Sequence, residues 1–193
     1  MISIKRLFLT ATYFEAKAIL SLSNWNRISK NFYRSGSMAL LITGIGRERI
    51  CRILPFLDSF DIQYAVNIGI CGGILNFDIC SEFSPEQYLT ESELQKCNLF
   101  SLTTLISLEE PMKNPKEILE STPNLSCCPK LGVDMEAAFL SEYFAKRNVC
   151  FKTVKIFSDS GESDFFQNFS DRKKALLEAL CDVAKKHLYG VAI

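Results

Sequence analysis

The chain predicts an α/β fold of three layers, a mostly parallel twisted sheet flanked by helices, and three observations predict it. Apolar runs of strand length recur along its 193 residues, stretches of helical spacing separate them, and glycines follow the early runs at 44–46 and 69–73. Strand, glycine turn, helix and strand in that order imply crossover connections between parallel strands.

Ile4 to Ala11 is rich in apolar residues and reads as a first strand. Tyr13 to Leu22 then carries helical spacing, with Phe14, Ala18 and Leu22 on one stripe. Met38 to Thr43 is a second strand, closed by Gly44-Ile45-Gly46 and followed by a helical pattern from Arg49 to Phe60. A third run, Tyr64 to Ile70, ends in a glycine turn formed by Gly69 and Gly72-Gly73. The middle is less patterned, with one short strand near Glu86 to Thr90. Ser101 to Ser107 reads as a strand, Lys113 to Ser121 as a short helix and Ser121 to Lys130 as a loop. Met135 to Arg147 is helical, Phe151 to Phe157 is a strand, and Asp171 to Leu188 is a long closing amphipathic helix. The length fits one domain spanning 1–193.

Composition excludes several classes. The 22 basic and 22 acidic residues balance, so no field favours nucleic acid or an anionic membrane, and the cluster Arg47, Arg49, Arg52 is short and reads as a solvated helix face. No apolar stretch approaches the roughly 18 residues of a membrane span. LFLTATYF lacks the length and cleavage site of a signal peptide. The eight cysteines form no CxxC pair and read as reduced thiols of a cytoplasmic protein, although the adjacent Cys127-Cys128 is a candidate redox pair. A single histidine, His187, excludes a multi-histidine metal site and most Ser-His or Cys-His nucleophile schemes; it reads as a solvated residue in a final helical turn.

Three acids stand just beyond apolar runs: Glu15, Glu136 in GVDMEAAFL and Asp159 in KTVKIFSDSGE. Burying an acid is costly unless it is bonded, paired or used, so acids at such edges are candidates for chemistry. In open α/β sheets ligands settle beyond the carboxyl ends of the strands, where Glu15, Gly44–Gly46, Gly69–Gly73, Glu136 and Asp159 all fall. The plain alternatives are a helix-surface glutamate for Glu15, a helix N-terminal residue for Glu136 and an N-cap for Asp159.

The stretches LTATYFEAKAIL, LITGIGRERI, VNIGICGGI, GVDMEAAFL and KIFSDSGESD, in this order, resemble the nucleoside phosphorylase and nucleosidase superfamily. Within it they resemble the 5′-methylthioadenosine/S-adenosylhomocysteine nucleosidase-like branch. The resemblance implies a nucleoside phosphorylase-like fold and cleavage of a purine nucleoside's N-glycosidic bond through an oxocarbenium-like state. It assigns Asp159 as the acid at the base, Glu15 as the carboxylate that activates water, and Glu136 as acceptor for the ribose hydroxyls. Met135 matches the methionine packed on the sugar. Gly69, Cys71 and Gly72 match the turn lining the sugar and nucleophile site, and Gly46, Val133 and Ser158 complete the implied substrate contacts. It implies a small nucleoside as partner, a homodimer, and no metal or organic cofactor. The Phe165-Phe166 pair near Phe169 reads as a subunit contact or a pocket wall.

Two departures bear on the activity. Phosphorylases of the superfamily carry an arginine two residues before the first glycine of the turn and a hydroxyl residue just after it, where this chain has Asn67 and Ile70. Water is therefore the expected nucleophile, with phosphorolysis served by Arg47 as the alternative. The stretch between Gly73 and Ser101 is short for the family, which implies a more open pocket or an impaired copy. TLISLEEPMKNPKEIL resembles members acting on adenosylhopane or futalosine as much as those acting on methylthioadenosine. A non-catalytic nucleoside-binding or interaction module is the remaining alternative.

Overall fold

The computed structural model describes residues 2–94, 102–109, 116–159 and 165–190, without the side chains of 116 and 165–168. The early elements are β1 (Ile2–Ile4), β2 (Arg6–Thr10), α1 (Tyr13–Leu20), β3 (Asn26–Arg27), β4 (Phe32–Ser35), β5 (Met38–Ile42) and α2 (Arg47–Leu57). Then come β6 (Phe60–Ile62), β7 (Tyr64–Leu75), β8 (Glu82–Phe83), β9 (Gln87–Thr90), α3 (Glu91–Leu94) and β10 (Thr104–Ser107). The remainder is α4 (Lys116–Ser121), a 3₁₀ turn (Pro123–Cys127), β11 (Leu131–Asp134), α5 (Ala137–Ala145), β12 (Cys150–Asp159) and α6 (Phe165–Tyr189).

The main sheet runs β3-β4-β5-β2-β7-β11-β10-β9, with β12 paired to β7 and β8. The pairs β5–β2, β2–β7 and β7–β12 are parallel, as are β11–β10 and β10–β9. The sheet is thus mixed: β11 meets β7 antiparallel, and at the edge the short strand β3 pairs antiparallel with β4, which pairs antiparallel with β5.

Strand alternation sorts the apolar side chains into two layers. Phe8, Leu40, Val66, Ile68, Val154 and Ile156 face α1 and α6, where they meet Ala16, Ile19, Leu176, Leu180 and Val183. Leu7, Leu9, Ala39, Leu41 and Ala65 face the other way, onto Ile50 and Leu54 of α2 and Leu140 and Phe144 of α5. Strands covered on both faces read as continuous apolar runs, which is why the central strands were legible.

Four expectations are corrected. The first strand is two, because the Lys5 N–H turns to the Ser37 carbonyl (2.9 Å) and β1 pairs with β6 in a separate ribbon. Gly69–Gly73 is no turn: β7 runs through it for 12 residues, and its glycines lack the positive φ seen at Gly44 and Gly46. Their missing side chains serve close approach instead, since a Cβ on Gly73 would stand 2.2 Å from the Phe77 ring. The helix expected from Met135 begins at Ala137, which leaves Met135 and Glu136 ahead of it, and the closing helix begins earlier than expected, at Phe165.

The expected starts at Ser101 and Lys113 and the Phe165-Phe166 side chains lie outside the described residues. His187 is half-buried, and burial lowers its imidazole below the ordinary range. Cys127 is exposed and Cys128 is buried, with its Sγ 3.8 Å from Thr104 Oγ1. No described helix is long and apolar enough to cross a membrane.

Candidate active site

Glu15 sits in the first turn of α1 and is only 2% exposed. Thr12 and Glu15 form a capping box: the Glu15 N–H donates to Thr12 Oγ1 (3.3 Å), while the Thr12 N–H (2.7 Å) and Oγ1–H (3.0 Å) donate to Glu15 Oε2. The sequence carries this signal as Thr-x-x-Glu at 12–15, and it fixes the side chain without using its other oxygen. Glu15 Oε1 accepts from the Ile70 N–H at 2.9 Å, across the edge of β7. A Cβ on Gly69 would lie 2.4 Å from that oxygen, so glycine at 69 is what admits the carboxylate.

Glu136 is the N-cap residue of α5, yet its side chain caps nothing. Asp134 does that work. Its Oδ1 and Oδ2 accept from the Ala137 N–H (3.0 Å to Oδ2) and Oδ1 from the Glu136 N–H (3.3 Å), while Ser107 Oγ donates to Oδ1 (2.6 Å) and accepts from the Ala138 N–H (2.8 Å). Glu136, 5% exposed, is thereby free to turn to α2, where the Gly46 N–H donates to its Oε1 at 3.0 Å. Gly46 meets this geometry with φ +85°, a left-handed conformation that favours glycine. Burial pushes the Glu136 carboxyl up to about 7; Lys155 opposes the rise, Asp134 and Glu15 add to it, and the Gly46 N–H opposes it.

Lys155 of β12 was not singled out by sequence; its only signal is a charge between Val154 and Ile156 in an apolar strand. It is 0% exposed. Its Nζ stands 3.0 Å from Asp134 Oδ2 and 3.9 Å from Glu136 Oε2. Burial alone would lower its basicity, but Asp134, Glu136 and Glu15 together raise it, so the ammonium stays protonated. Gly69 lies beside it in the parallel register of β7 and β12.

Asp159 ends β12 and is 8% exposed. A register shift between Phe157 and Asp159 sets Asp159 against Gly72 of β7. Ser158 Oγ reaches both the Cys71 carbonyl (3.2 Å) and Asp159 Oδ2. Phe157 stacks on Phe83 (4.8 Å between centroids) beneath this end of the strand. Cys71 is buried, which raises its thiol well above the ordinary range, and it feels Lys155, Asp134 and Asp159 together. The structure thus gathers Glu15 and Glu136 around Lys155, with Asp159 next to Gly72 in the register of β7 and β12. The residues after Asp159 that bear on an N-cap role, 160–164, lie outside the described residues.

Of the other expected contacts, Met135 and Gly46 line a cavity of about 600 Å³ with Ile45, Arg47, Arg49 and Glu109. Arg47 is committed to Glu109 (2.5 Å). Val133 packs in a core cluster with Leu89, Ile106 and Leu131 and does not line this cavity. Asn67 donates from Nδ2 to the Leu9 carbonyl at 3.3 Å.

No protein-family model matches the chain, and no curated protein does. Solved structures match its fold. A variant of the protein named MTAN from Chlamydia trachomatis superposes with a TM-score of 0.76 at 18% identity, over 98% of this chain and 100% of that one. A variant of the Helicobacter pylori MTAN, with 5′-methylthioadenosine in its active site, gives 0.72 at 14% identity, over 97% and 100%. A variant of futalosine hydrolase from Helicobacter pylori gives 0.71 at 14% identity, over 96% and 100%. The fold is the nucleosidase-like α/β fold that the motifs led us to expect.

Proposed function

We propose that the chain hydrolyses the N-glycosidic bond of an adenosine-type nucleoside carrying a 5′ substituent. Glu136 accepts hydrogen bonds from the ribose hydroxyls, Met135 packs on the sugar, Asp159 serves the base and Glu15 serves water. The bond from C1′ to the base breaks as the base leaves with the electron pair and takes a proton shared by Asp159. Water oxygen bonds to C1′, and its proton passes to Glu15. The products are free base and a free ribose derivative.

One observation carries hydrolysis over phosphorolysis: Glu15 Oε1 already occupies the Ile70 N–H at 2.9 Å. A backbone donor beside the glycine run is what an oxyanion would take. Here a carboxylate holds it, with Glu136 and Asp134 close by and a single lysine to balance them. These acids would repel a phosphate dianion, and Asn67, bonded to the Leu9 carbonyl, stands where the superfamily's phosphorylases carry an arginine.

The test is incubation with 5′-methylthioadenosine, S-adenosylhomocysteine and futalosine, each with and without phosphate, scoring free base and ribose against ribose 1-phosphate. Base release without phosphate is expected, and the favoured compound names the substrate. Release that depends on phosphate removes hydrolysis; no release from any of the three removes the enzyme reading.

A further inference from the structure

The proposed reaction leaves Lys155 without a task. A fully buried ammonium is among the most expensive groups a core can hold, and it persists where charges around it need it. Asp134 is the nearest acid, but Asp134 is already bonded by Ser107 Oγ and the N–H groups that open α5. What remains unbalanced nearby is the pair Glu136, 3.9 Å from Nζ, and Glu15. A Cβ on Gly69 would stand 2.4 Å from Glu15 Oε1 and 3.3 Å from Lys155 Nζ, so one glycine gap admits both groups.

We propose that Lys155 is the positioning residue of this site: clamped by Asp134, its ammonium offsets part of the negative charge of Glu15 and Glu136 and holds the water-side and the sugar-side carboxylates in one cluster. Two carboxylates confined without a cation would move apart, or one would take up a proton. Lys155 does not touch the reacting atoms in this scheme; it acts through the acids. The groups facing the cluster come from every neighbouring element: Asp134 on β11, Glu136 and the Gly46 N–H at the starts of α5 and α2, Glu15 on α1, Cys71 on β7 and Tyr88 on β9.

The catalytic arm of the test rests on the proposed hydrolysis; the titration arm does not. The full chain is labelled with ¹³C at the glutamate side-chain carboxyls, Glu136 is assigned with Glu136→Gln, and its titration is followed by NMR in three variants. Lys155→Met should move the Glu136 midpoint upward, Lys155→Arg should restore it, and Asp134→Asn, which keeps a capping oxygen and removes a charge, should move it downward. With 5′-methylthioadenosine, Lys155→Met should lower kcat/KM at neutral pH by about 10²-fold, the loss expected when reacting groups are misplaced. It should also displace the acid limb of the pH profile upward. An unmoved Glu136 midpoint in Lys155→Met overturns the proposal. If that variant does not fold, an unmoved or upward midpoint in Asp134→Asn overturns it. A wild type without base release, whose Glu136 shifts in these opposite directions, would sink the hydrolysis and leave the role of Lys155 standing.

Discussion

Asp159 ends its strand beside Ser158, with Phe157 and Cys71 at its back, so a carboxamide of the same shape fits the same space. Asp159→Asn removes only the proton to be shared. Turnover should fall about 10²–10⁴-fold, the usual worth of a positioned general acid, while 5′-methylthioadenosine still binds. Adenine release and calorimetry read the two quantities, and unchanged turnover would remove Asp159 from the mechanism. Gly69→Ala makes the complementary case for Glu15, because its new methyl would overlap Oε1. The carboxylate must leave the Ile70 N–H; a stability loss of about 1–3 kcal/mol in urea denaturation should accompany a loss of turnover. The burial of the three acids was legible because each follows an apolar run. Lys155 was not, since nothing in KTVKIF says whether a lone lysine folds inward or stays wet.

The start of α5 shows how an element can release a side chain for other work. An acid at an N-cap ordinarily bonds the first N–H groups of its helix, which is why Glu136 had a plain structural reading. Asp134 and Ser107 take those bonds, and Glu136 turns across to Gly46. Ser107→Ala should cost about 1–2 kcal/mol by leaving the Ala138 N–H unpaired, and chemical denaturation measures it. Cross-strand help of this kind joins residues 31 positions apart, so local sequence does not display it. The glycines of β7 taught the opposite lesson. Glycine clusters suggest turns, but at 69 and 73 the missing Cβ makes room for Glu15 and Phe77 while the strand continues. Of the two glycine clusters, the one at Gly44 and Gly46 uses the backbone freedom that the turn reading invoked.

Across the molecule, the buried carboxyl of Glu136 makes stability depend on pH. Glu136 is held at about 7 in the folded chain against an ordinary 4.5, first by burial and then by Asp134 and Glu15. Between those values the folded state keeps a proton that the unfolded state has released. Folding is therefore most favoured by this group below pH 4.5, and its contribution declines as pH rises to about 7, by about 3 kcal/mol at most. Urea denaturation across that window should show the decline against the other titrations, and Glu136→Gln should flatten it. Ligand affinity should run the other way, rising through about pH 7 as Glu136 becomes the carboxylate that ribose hydroxyls need. A KM that ignores pH in this window would exclude Glu136 from sugar binding.

Apolar run lengths were enough to give the layer architecture, the central strands and the long helices, because burial on both faces writes itself into composition. They also marked where acids lie at strand ends, since a charge beside an apolar run stands out in one dimension. Fold and reach decided the rest. That β11 opposes β7, that Asp134 relieves Glu136 of capping, and that Lys155 meets two acids from α1 and α5 are facts of distance between residues far apart in the chain. Electrostatic partnership falls off over a few ångströms of space, and spacing along the chain carries no record of it.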